Sequence, residues 1–196
     1  MKILFVSLFI VIVDQVSKLL IKGFSIPLFE FRFEGIAPGQ KISLISDIFN
    51  LTLIENPGIA FGIDLGSDFR LPVVIFTFAA TAALLYYFYI NRTNILSLRL
   101  SLAFIIGGAI GNLIDRIFYG IIYGYAPVFY GKVVDFFEIN IFKLFIMNRT
   151  LGNYVLNIAD LAVTAGLVLL LFSLNKQKAV DSKAVSIEDY LAEDKD

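Results

Sequence analysis

The segment that decides the fold reads LSLRLSLAFIIGGAIGNLIDRI and runs from residue 96 to residue 117. Crossing ~30 Å of hydrocarbon takes a mostly apolar helix of about 20 residues, and this segment is long enough. Three other stretches also qualify, so we predict transmembrane helices over residues 3–21, 71–90, 96–117 and 155–174. The hydrophobic content of 58% agrees, since soluble domains are roughly half apolar. The expected fold class is an all-α membrane bundle of four transmembrane helices.

The charged residues near the span ends predict how the bundle lies in the membrane. On the side of both termini, Lys2, Arg92, Arg99 and the lysines of the tail lie in short segments, whereas the lysines and arginines of the other side are spread over two long ones. This difference in density favours cytoplasmic termini. Residues 23–70 and 118–154 should then face outward, and residues 175–196 should form a polar cytoplasmic tail. We expect the first span to be retained, because Asp14 and Lys18 interrupt it and it shows no clear cleavage site for a signal peptidase of secreted proteins. Residues 1–174 form one predicted membrane domain.

A small extracytoplasmic β-sheet is expected between helices 1 and 2. Residues 29–34 alternate between phenylalanine and charged residues, residues 48–54 favour strand, and Pro38-Gly39 indicates a turn. The three phenylalanines on one strand face would rest on lipid headgroups or hold an acyl chain. Alternatively, this small sheet packs on its own helices.

Composition narrows the chemistry that an enzyme of this sequence could use. The chain has no His and no Cys, which excludes zinc and haem sites built on those residues, Ser-His and Cys-His nucleophile pairs, and disulfides. We therefore expect no metal and no cofactor, and acids and bases drawn from Asp, Glu, Lys and Tyr. A net charge of -1 gives no basic field for nucleic acid.

Ionisable residues inside membrane spans are costly and usually mark function or a protein interior. Asp14 and Lys18 are four residues apart and so share one helix face, as a structural ion pair or as part of the chemistry. Ser17 lies beside Lys18, but helical neighbours point about 100° apart, which disfavours a Ser-Lys dyad.

A second polar set closes the third span. Asn112, Asp115 and Arg116 fall at i, i+3 and i+4 and therefore share a face. They form a hydrogen-bonding cluster or, alternatively, an interfacial Asp-Arg pair. Gly107 and Gly111 have the small-xxx-small spacing that allows another helix to approach closely.

Two more carboxylates lie in apolar surroundings on the same side. Asp135 stands within Val133-Val134-Asp135-Phe136-Phe137, and Asp160 follows Asn157 at the opening of the fourth span, where it could merely cap the helix. Two carboxylates that share an apolar site hold one proton between them, and such a pair can hydrolyse an amide. The residues alone leave an aspartyl hydrolase and a small proton-coupled transporter open.

Five segments in order make the chain resemble the bacterial lipoprotein signal peptidase family, also called signal peptidase II. The segments begin with Asp14-Gln15-Val16-Ser17-Lys18 and Asn56-Pro57-Gly58-Ile59-Ala60-Phe61-Gly62. They continue through residues 107–116 and 133–137 to Leu156-Asn157-Ile158-Ala159-Asp160.

The resemblance implies a monomeric inner-membrane aspartyl endopeptidase that removes the signal peptide from diacylglyceryl-modified prolipoproteins. It would cut just before the lipidated cysteine, and its partners would be these substrates and membrane lipid. By the same resemblance Asp135 and Asp160 are the catalytic dyad, and Asp14 with Lys18 braces the first helix. The residues implied to bind substrate or support the site are Asn56, Gly58, Gly108, Asn112, Asp115, Arg116, Asn157 and Ala159.

The chain departs from the family pattern in two places. Residues 121–130 and 139–152 look like insertions, both rich in aromatic or apolar residues. They leave the expected site in place but make the local structure around Asp135 hard to predict.

Overall fold

Apolar helices form the framework of the protein. The computed structural model describes residues 2–45, 48–58, 69–140, 144–146, 149–151 and 154–174. Within these ranges, three helices are long and apolar enough to cross a membrane: α1 (Leu4–Lys22), α2 (Arg70–Ile90) and α3 (Leu96–Ile122). A shorter apolar helix, α4, is described over Ile158–Leu174. The first three predicted spans are therefore helices, while the predicted tail at 175–196 lies outside the described residues.

Helix α3 lies between α1 and α4. A Cβ atom on Gly107 would come within 3.0 Å of Ser7 O in α1, so these two helices touch through backbone. On its other side, Gly108 faces Ala159 and Gly166 of α4 faces Ser101. Residue numbers rise along α3 as they fall along α4, so the two helices are antiparallel.

The end of α3 departs from α-helical geometry. Residues Asp115–Tyr119 form a π-helical segment, and a further turn continues to Ile122. The helix therefore runs five residues beyond the predicted end at 117. A π segment widens the helical turn and changes the direction of the residues after it, and such segments are frequent at functional sites.

Eight strands are present in the described residues, beyond the ends of the helices. Strands β1 (Gly23–Ile26) and β2 (Phe31–Glu34) form a hairpin. An antiparallel four-stranded sheet has the order β3-β4-β5-β8, with β3 Lys41–Ile45, β4 Phe49–Asn56, β5 Val133–Ile139 and β8 Tyr154–Leu156. Strands β6 (Leu144–Ile146) and β7 (Arg149–Leu151) form a second hairpin inside the expected insertion at 139–152, which is only partly described.

The strand expected over 29–34 belongs to the separate β1-β2 hairpin, and only two strands of the four-stranded sheet, β3 and β4, lie between α1 and α2. Its other two strands, β5 and β8, come from the segment between α3 and α4. Strand β5 pairs with β4 along its length, from Phe49 with Ile139 to Asn56 with Val133. The predicted position was incomplete because pairing between distant segments leaves no mark in a local hydrophobic pattern.

Two element boundaries also differ from the prediction. The strand expected over 29–34 begins at Phe31, because Pro27 opens a short 3-10 turn and Glu30 adopts a left-handed φ of 49°. The helix expected from residue 155 begins at Ile158, because Val155 pairs with Glu138 in the sheet. The turn predicted at Pro38-Gly39 is present, with Gly39 at φ 83°.

The β1-β2 hairpin carries an exposed apolar tip. Leu28 is 84% exposed and Phe29 is 73% exposed, and every residue of β2 is exposed. The rings of Phe24 and Phe33 stack with centroids 5.8 Å apart. Strand β2 therefore does not pack on the helices. Packing of this small sheet on its own helices was one of the two alternatives for the segment.

Candidate functional site

A buried ammonium group organises the polar ends of α1 and α3. Lys18 Nζ lies 2.8 Å from Asp14 Oδ2 and 2.7 Å from Asp115 Oδ2, and all three side chains have no exposed surface. Its third contact is a hydrogen bond of 3.0 Å to Asn112 Oδ1. Each of the three ammonium hydrogens thus has an acceptor. The predicted Asp14–Lys18 pair is part of a larger cluster that joins two helices.

Gln15 is a member of this cluster that the pattern of charged residues does not reveal. Its amide donates to Asp14 Oδ2 at 3.1 Å and to Asp115 Oδ1 at 2.8 Å. Its oxygen accepts a hydrogen bond from the hydroxyl of buried Tyr119 at 3.2 Å. Gln15 is uncharged, so a search for costly ionisable groups in the span does not find it. Its position between Asp14 and Lys18 in an apolar run was the available signal.

The two carboxylates bound to Lys18 also hold backbone groups from other elements. Asp14 Oδ1 accepts the N–H of Ala159 at 2.9 Å, and Asp115 Oδ2 accepts the N–H of Val134 at 3.2 Å. Ala159 and Val134 are each followed directly by one of the two candidate catalytic aspartates. The cluster around Lys18 therefore fixes the backbone beside both of them.

Helix α4 begins with a reciprocal capping arrangement. Asn157 Oδ1 accepts the N–H of Asp160 at 2.9 Å, and Asp160 Oδ2 accepts the N–H of Asn157 at 3.2 Å. This pattern satisfies two backbone donors at the helix start. The negative carboxylate at this position is also favoured by the helix dipole. The capping role considered for Asp160 is therefore real, and it holds the carboxylate in one place.

Two amides connect Asp135 with Asp160. The Nδ2 group of Asn112 donates to Asp160 Oδ1 at 2.8 Å, and the Nδ2 group of Asn157 donates to Asp135 Oδ1 at 2.7 Å. Asn157 also donates to Asn112 Oδ1 at 3.0 Å. Because Asn112 Oδ1 also accepts from Lys18, its amino group must face Asp160. The orientation of both amides follows from the network, which we call the amide bridge (Asn112 and Asn157).

Strand β4 supplies the second donor to Asp135. Asn56 Nδ2 donates to Asp135 Oδ2 at 3.1 Å, and Asn56 Oδ1 accepts the N–H of Gly58 at 2.9 Å. Gly58 has a φ of 113°, which residues other than glycine rarely adopt. Gly58 thus sets the orientation of the amide that holds Asp135. The adjoining motif residues 59–62 lie outside the described residues.

The described part of the site has more negative than positive groups. Arg116 is half-buried, donates to Asn112 O at 3.3 Å and interacts electrostatically with three aspartates of the site. The charged side chains of this network are Asp14, Lys18, Asp115, Arg116, Asp135 and Asp160. Four carboxylates therefore face two cations. One proton shared among the carboxylates would reduce this repulsion.

The surroundings of Asp135 favour its protonated form. Burial raises its pKa, and the nearby Asp160 charge adds to the effect. The hydrogen bonds from Asn56 and Asn157 oppose the shift, and the resulting pKa is about 7. Asp135 is only 4% exposed, which agrees with a large cost of ionisation. A protonated Asp135 near the Asp160 carboxyl gives a donor and acceptor pair that could act on one bond.

Gly108 lets α3 approach α4 at the level of the site. A Cβ atom there would lie 2.3 Å from Ala159 O, closer than real Cβ contacts. Replacing a helical glycine with alanine normally gains about 1 kcal/mol of helix propensity. We expect Gly108→Ala to destabilise the protein instead, by about 1–3 kcal/mol.

Thermal unfolding in detergent micelles would measure the effect of Gly108→Ala. Ala79→Val, at an exposed position of α2, is a control for added bulk in a helix. An unfolding midpoint for Gly108→Ala at or above that of the wild type would contradict the close contact.

The structure brings the predicted residues into one network. The hydrogen bonds and ion pairs above join Asp14, Lys18, Asn112, Asp115, Asp135, Asn157 and Asp160. The predicted residues that contact this group are Asn56, Gly58, Gly108, Arg116 and Ala159. Ser17 donates instead to Asp14 O at 2.7 Å, as expected if it forms no dyad with Lys18. Within the described ranges, no group of three or more His, Cys, Asp or Glu side chains is arranged to hold a metal ion.

The chain is similar to known proteins of one family. The family model described as Signal peptidase (SPase) II matches residues 6–176. A lipoprotein signal peptidase of Clostridium tetani is 33% identical over 176 residues, covering 89% of this chain and 93% of that protein. One from Pelodictyon phaeoclathratiforme is 34% identical over 182 residues, covering 90% and 92%. A solved bacterial membrane enzyme, determined in meso at 1.9 Å, is similar with a TM-score of 0.63 and 28% identity, covering 88% and 92%.

Proposed function

Because the chain belongs to the signal peptidase II family, we propose that it is an aspartyl endopeptidase with Asp135 and Asp160 as its catalytic dyad. Its substrates are prolipoproteins that already carry a diacylglyceryl group, and it cuts just before the lipidated cysteine. The observation that carries the proposal is the amide bridge, which holds one carboxylate on each of its two asparagines.

The environments of the two aspartates support different roles for them. Asp160 accepts hydrogen bonds from Asn112 and from the N–H of Asn157 at the start of α4, so each of its two oxygens is held as an acceptor. It acts as the base and takes a proton from water as the water oxygen bonds to the scissile carbonyl carbon. Asp135 donates its proton to the carbonyl oxygen, which gives a tetrahedral diol.

The second half of the reaction reverses these transfers. Asp160 gives its proton to the amide nitrogen, and the carbon–nitrogen bond breaks. The diol returns one hydroxyl proton to Asp135 as the new carboxylic acid forms. Both carboxyls regain their starting state, so the cycle balances. Arg116 beside the dyad limits the build-up of negative charge during the reaction.

The proposed mechanism predicts how the rate depends on pH. Asp135 must be protonated to act as the acid, and its pKa is raised to about 7 by burial and by Asp160. The value of kcat/KM should therefore fall as pH rises above 7, approaching about tenfold per pH unit. Initial rates on a lipid-modified precursor between pH 5 and pH 9 would measure this. An alkaline plateau at full activity would contradict a protonated Asp135.

The substrate class is tested by comparing two forms of one precursor. The purified chain in detergent micelles should cut a diacylglyceryl-modified precursor, seen as a gel shift, with the lipidated cysteine as the new N-terminus by mass spectrometry. The same precursor with its cysteine replaced by serine cannot be lipidated and should remain intact. Equal cleavage of both forms, or a cut elsewhere, would contradict the proposed specificity.

The proposed membrane arrangement places the site toward the outer face of the bacterial inner membrane. The protein is a monomer of one domain in which α4 forms a fourth span, so that both termini are cytoplasmic. Three observations support this: α4 is apolar, it runs antiparallel to α3, and Lys2, Arg92, Arg99 and the lysines after residue 174 lie in short segments on the side of the termini. The exposed tip at Leu28 and Phe29 would lie in the lipid headgroup region.

A proton-coupled transporter is not proposed. The family match disfavours it, and so does the position of the carboxylates. Asp14, Asp115 and Asp160 belong to one network at the sheet end of the helices, bound to Lys18 and to the amide bridge. In the described residues they form no series across the membrane.

A further inference from the structure

A group of charged and aromatic residues lies beside the site but outside the mechanism above. We call it the tyrosine clamp; its members are Lys22, Glu55, Tyr123, Tyr125 and Lys132. Lys22 Nζ lies 2.5 Å from Glu55 Oε1 and 3.8 Å from the centroid of the Tyr123 ring. The Tyr125 ring is 4.8 Å from the same ammonium group. An ammonium group over aromatic faces gains further stabilisation where it is shielded from water.

The clamp joins three pieces of chain at one point. Lys22 ends α1, Glu55 belongs to β4, and the two tyrosines come from the segment expected to be an insertion at 121–130. Lys132 lies 3.4 Å from Glu55 Oε2, and its N–H donates to the Tyr125 hydroxyl oxygen at 2.9 Å. Burial opposes ionisation of Glu55, but the two lysines outweigh it and lower its pKa.

The end of β4 depends on contacts of this kind. Strand β3 pairs with β4 only as far as Thr52, so among the described strands the last residues of β4 pair with β5 alone. The pairing with β5 is also irregular between Leu51 and Ile54. Glu55 therefore lies where the sheet gives β4 the least support.

Asn56, the next residue, holds the Asp135 carboxyl. Successive side chains of a strand point to opposite faces, so Glu55 enters the clamp while Asn56 faces the site. Asn56 Nδ2 donates to Asp135 Oδ2 at 3.1 Å. A shift of Glu55 would thus move the donor away from Asp135.

We infer that Lys22, with its tyrosines, is a positioning residue that holds the Asn56 amide on Asp135 through Glu55. The inference rests on the proposed function, since it assigns the clamp to that same site. It also gives the segment at 121–130 a role, because two of its tyrosines shield the ion pair that fixes β4.

The expected signature is a change in the titration of Asp135. The Asn56 hydrogen bond lowers the pKa of Asp135, so its loss raises that pKa. The other groups around Asp135 are Asp160 from α4, Arg116 from α3, Lys18 from α1 and the Asn157 amide. These groups stay in place when the clamp is opened. The alkaline limb of the kcat/KM profile should therefore move to higher pH.

Two opposite changes of charge separate positioning from a direct electrostatic effect. Lys22→Met removes a positive charge and Glu55→Gln removes a negative one, yet both open the ion pair. If the clamp positions Asn56, both should move the alkaline limb up, by about half a pH unit or more. Shifts in opposite directions, or no shift in either variant, would overturn the inference.

The chain offers matched controls for this experiment. Lys41 lies 2.5 Å from Glu138 Oε1 in the same sheet, and Lys41→Met removes that pair without touching the end of β4. Lys41→Met should leave the pH profile of kcat/KM unchanged. Lys22→Arg keeps the positive charge and should give a profile close to that of the wild type. If Lys22→Met does not fold, Tyr125→Leu weakens the clamp without changing charge and should shift the limb in the same direction. A shift as large in Lys41→Met would also overturn the inference.

A second readout keeps this inference separate from the proposed function. In the full-length wild-type chain, carbon-13 NMR of labelled aspartate, assigned with Asp135→Asn, follows the Asp135 carboxyl without any substrate. An unchanged Asp135 titration in Lys22→Met and Glu55→Gln would overturn the clamp, whether or not the wild type cleaves. A wild type that cleaves no lipidated precursor would overturn the proposed function, while this titration still tests the clamp.

Discussion

Replacing either Asp135 or Asp160 with asparagine should lower the cleavage rate of a lipid-modified precursor by about a thousandfold or more. Asparagine keeps the size of the side chain but can neither take a proton from water nor donate one to the carbonyl oxygen. Because the two groups act as a unit, the double variant should cleave only slightly more slowly than the single variants. Gel-shift rates with all three variants measure this.

Each asparagine variant must be shown to be folded. Both oxygens of Asp160 accept hydrogen bonds and an asparagine keeps only one acceptor oxygen, so Asp160→Asn should lose about 1 kcal/mol, or a few degrees in the unfolding midpoint. Glu34→Gln removes an exposed carboxylate from the β1-β2 hairpin and serves as the control, with an unchanged rate expected. A folded Asp135→Asn or Asp160→Asn variant that cleaves at the wild-type rate would contradict the proposed dyad.

The largest loss of stability is expected from Lys18→Met. This change leaves the buried carboxylates of Asp14 and Asp115 facing each other without their shared cation. Removing one partner of a buried ion pair costs about 3–5 kcal/mol, because the remaining charge has lost its compensation. Thermal unfolding in detergent micelles should show a fall of about 6–20 °C, at 2–4 °C per kcal/mol for a chain of this size.

Lys41→Met is the matched control for this loss. Lys41 also makes an ion pair with a buried carboxylate, but its own side chain is 53% exposed, so water reaches the remaining charge more easily. We expect its effect to be clearly smaller. Equal losses in both variants would mean that burial of the Lys18 cluster contributes little.

The helices and the polar positions within them were predictable because both rest on local spacing. The apolar length of α1, α2 and α3 follows from the sequence alone, and Asn112 and Asp115 share a face by helical periodicity. The Asp14–Lys18 spacing likewise predicted an ion pair that is present.

The contacts that complete the site were harder to predict, because they join distant segments. Pairing between β4 and β5 brings Asn56 to Asp135 across 79 positions of sequence. No local pattern in either strand encodes that partner. The start of α4 was misplaced for the same reason, since Val155 is apolar in any case and only its partner in β5 makes it a strand residue.

The amide of Gln15 shows a different limit of prediction from sequence. Its three acceptors come from its neighbour Asp14 and from Gly111 and Asp115 of another helix. The sequence places a polar group in the span, but only the packing of α1 on α3 decides that it meets acceptors. Polar residues that carry no charge can therefore be as much a part of an intramembrane network as charged ones.

The hydrogen bond from Ala159 to Asp14 joins residues 145 positions apart, and it bears on when the enzyme becomes active. Helix α1 leaves the ribosome first, while α4 brings both Asn157 and Asp160. A nascent chain that has not reached α4 has one half of the proposed dyad and an incomplete amide bridge. On the proposed mechanism, we therefore expect proteolytic activity only after the last helix has docked on the first.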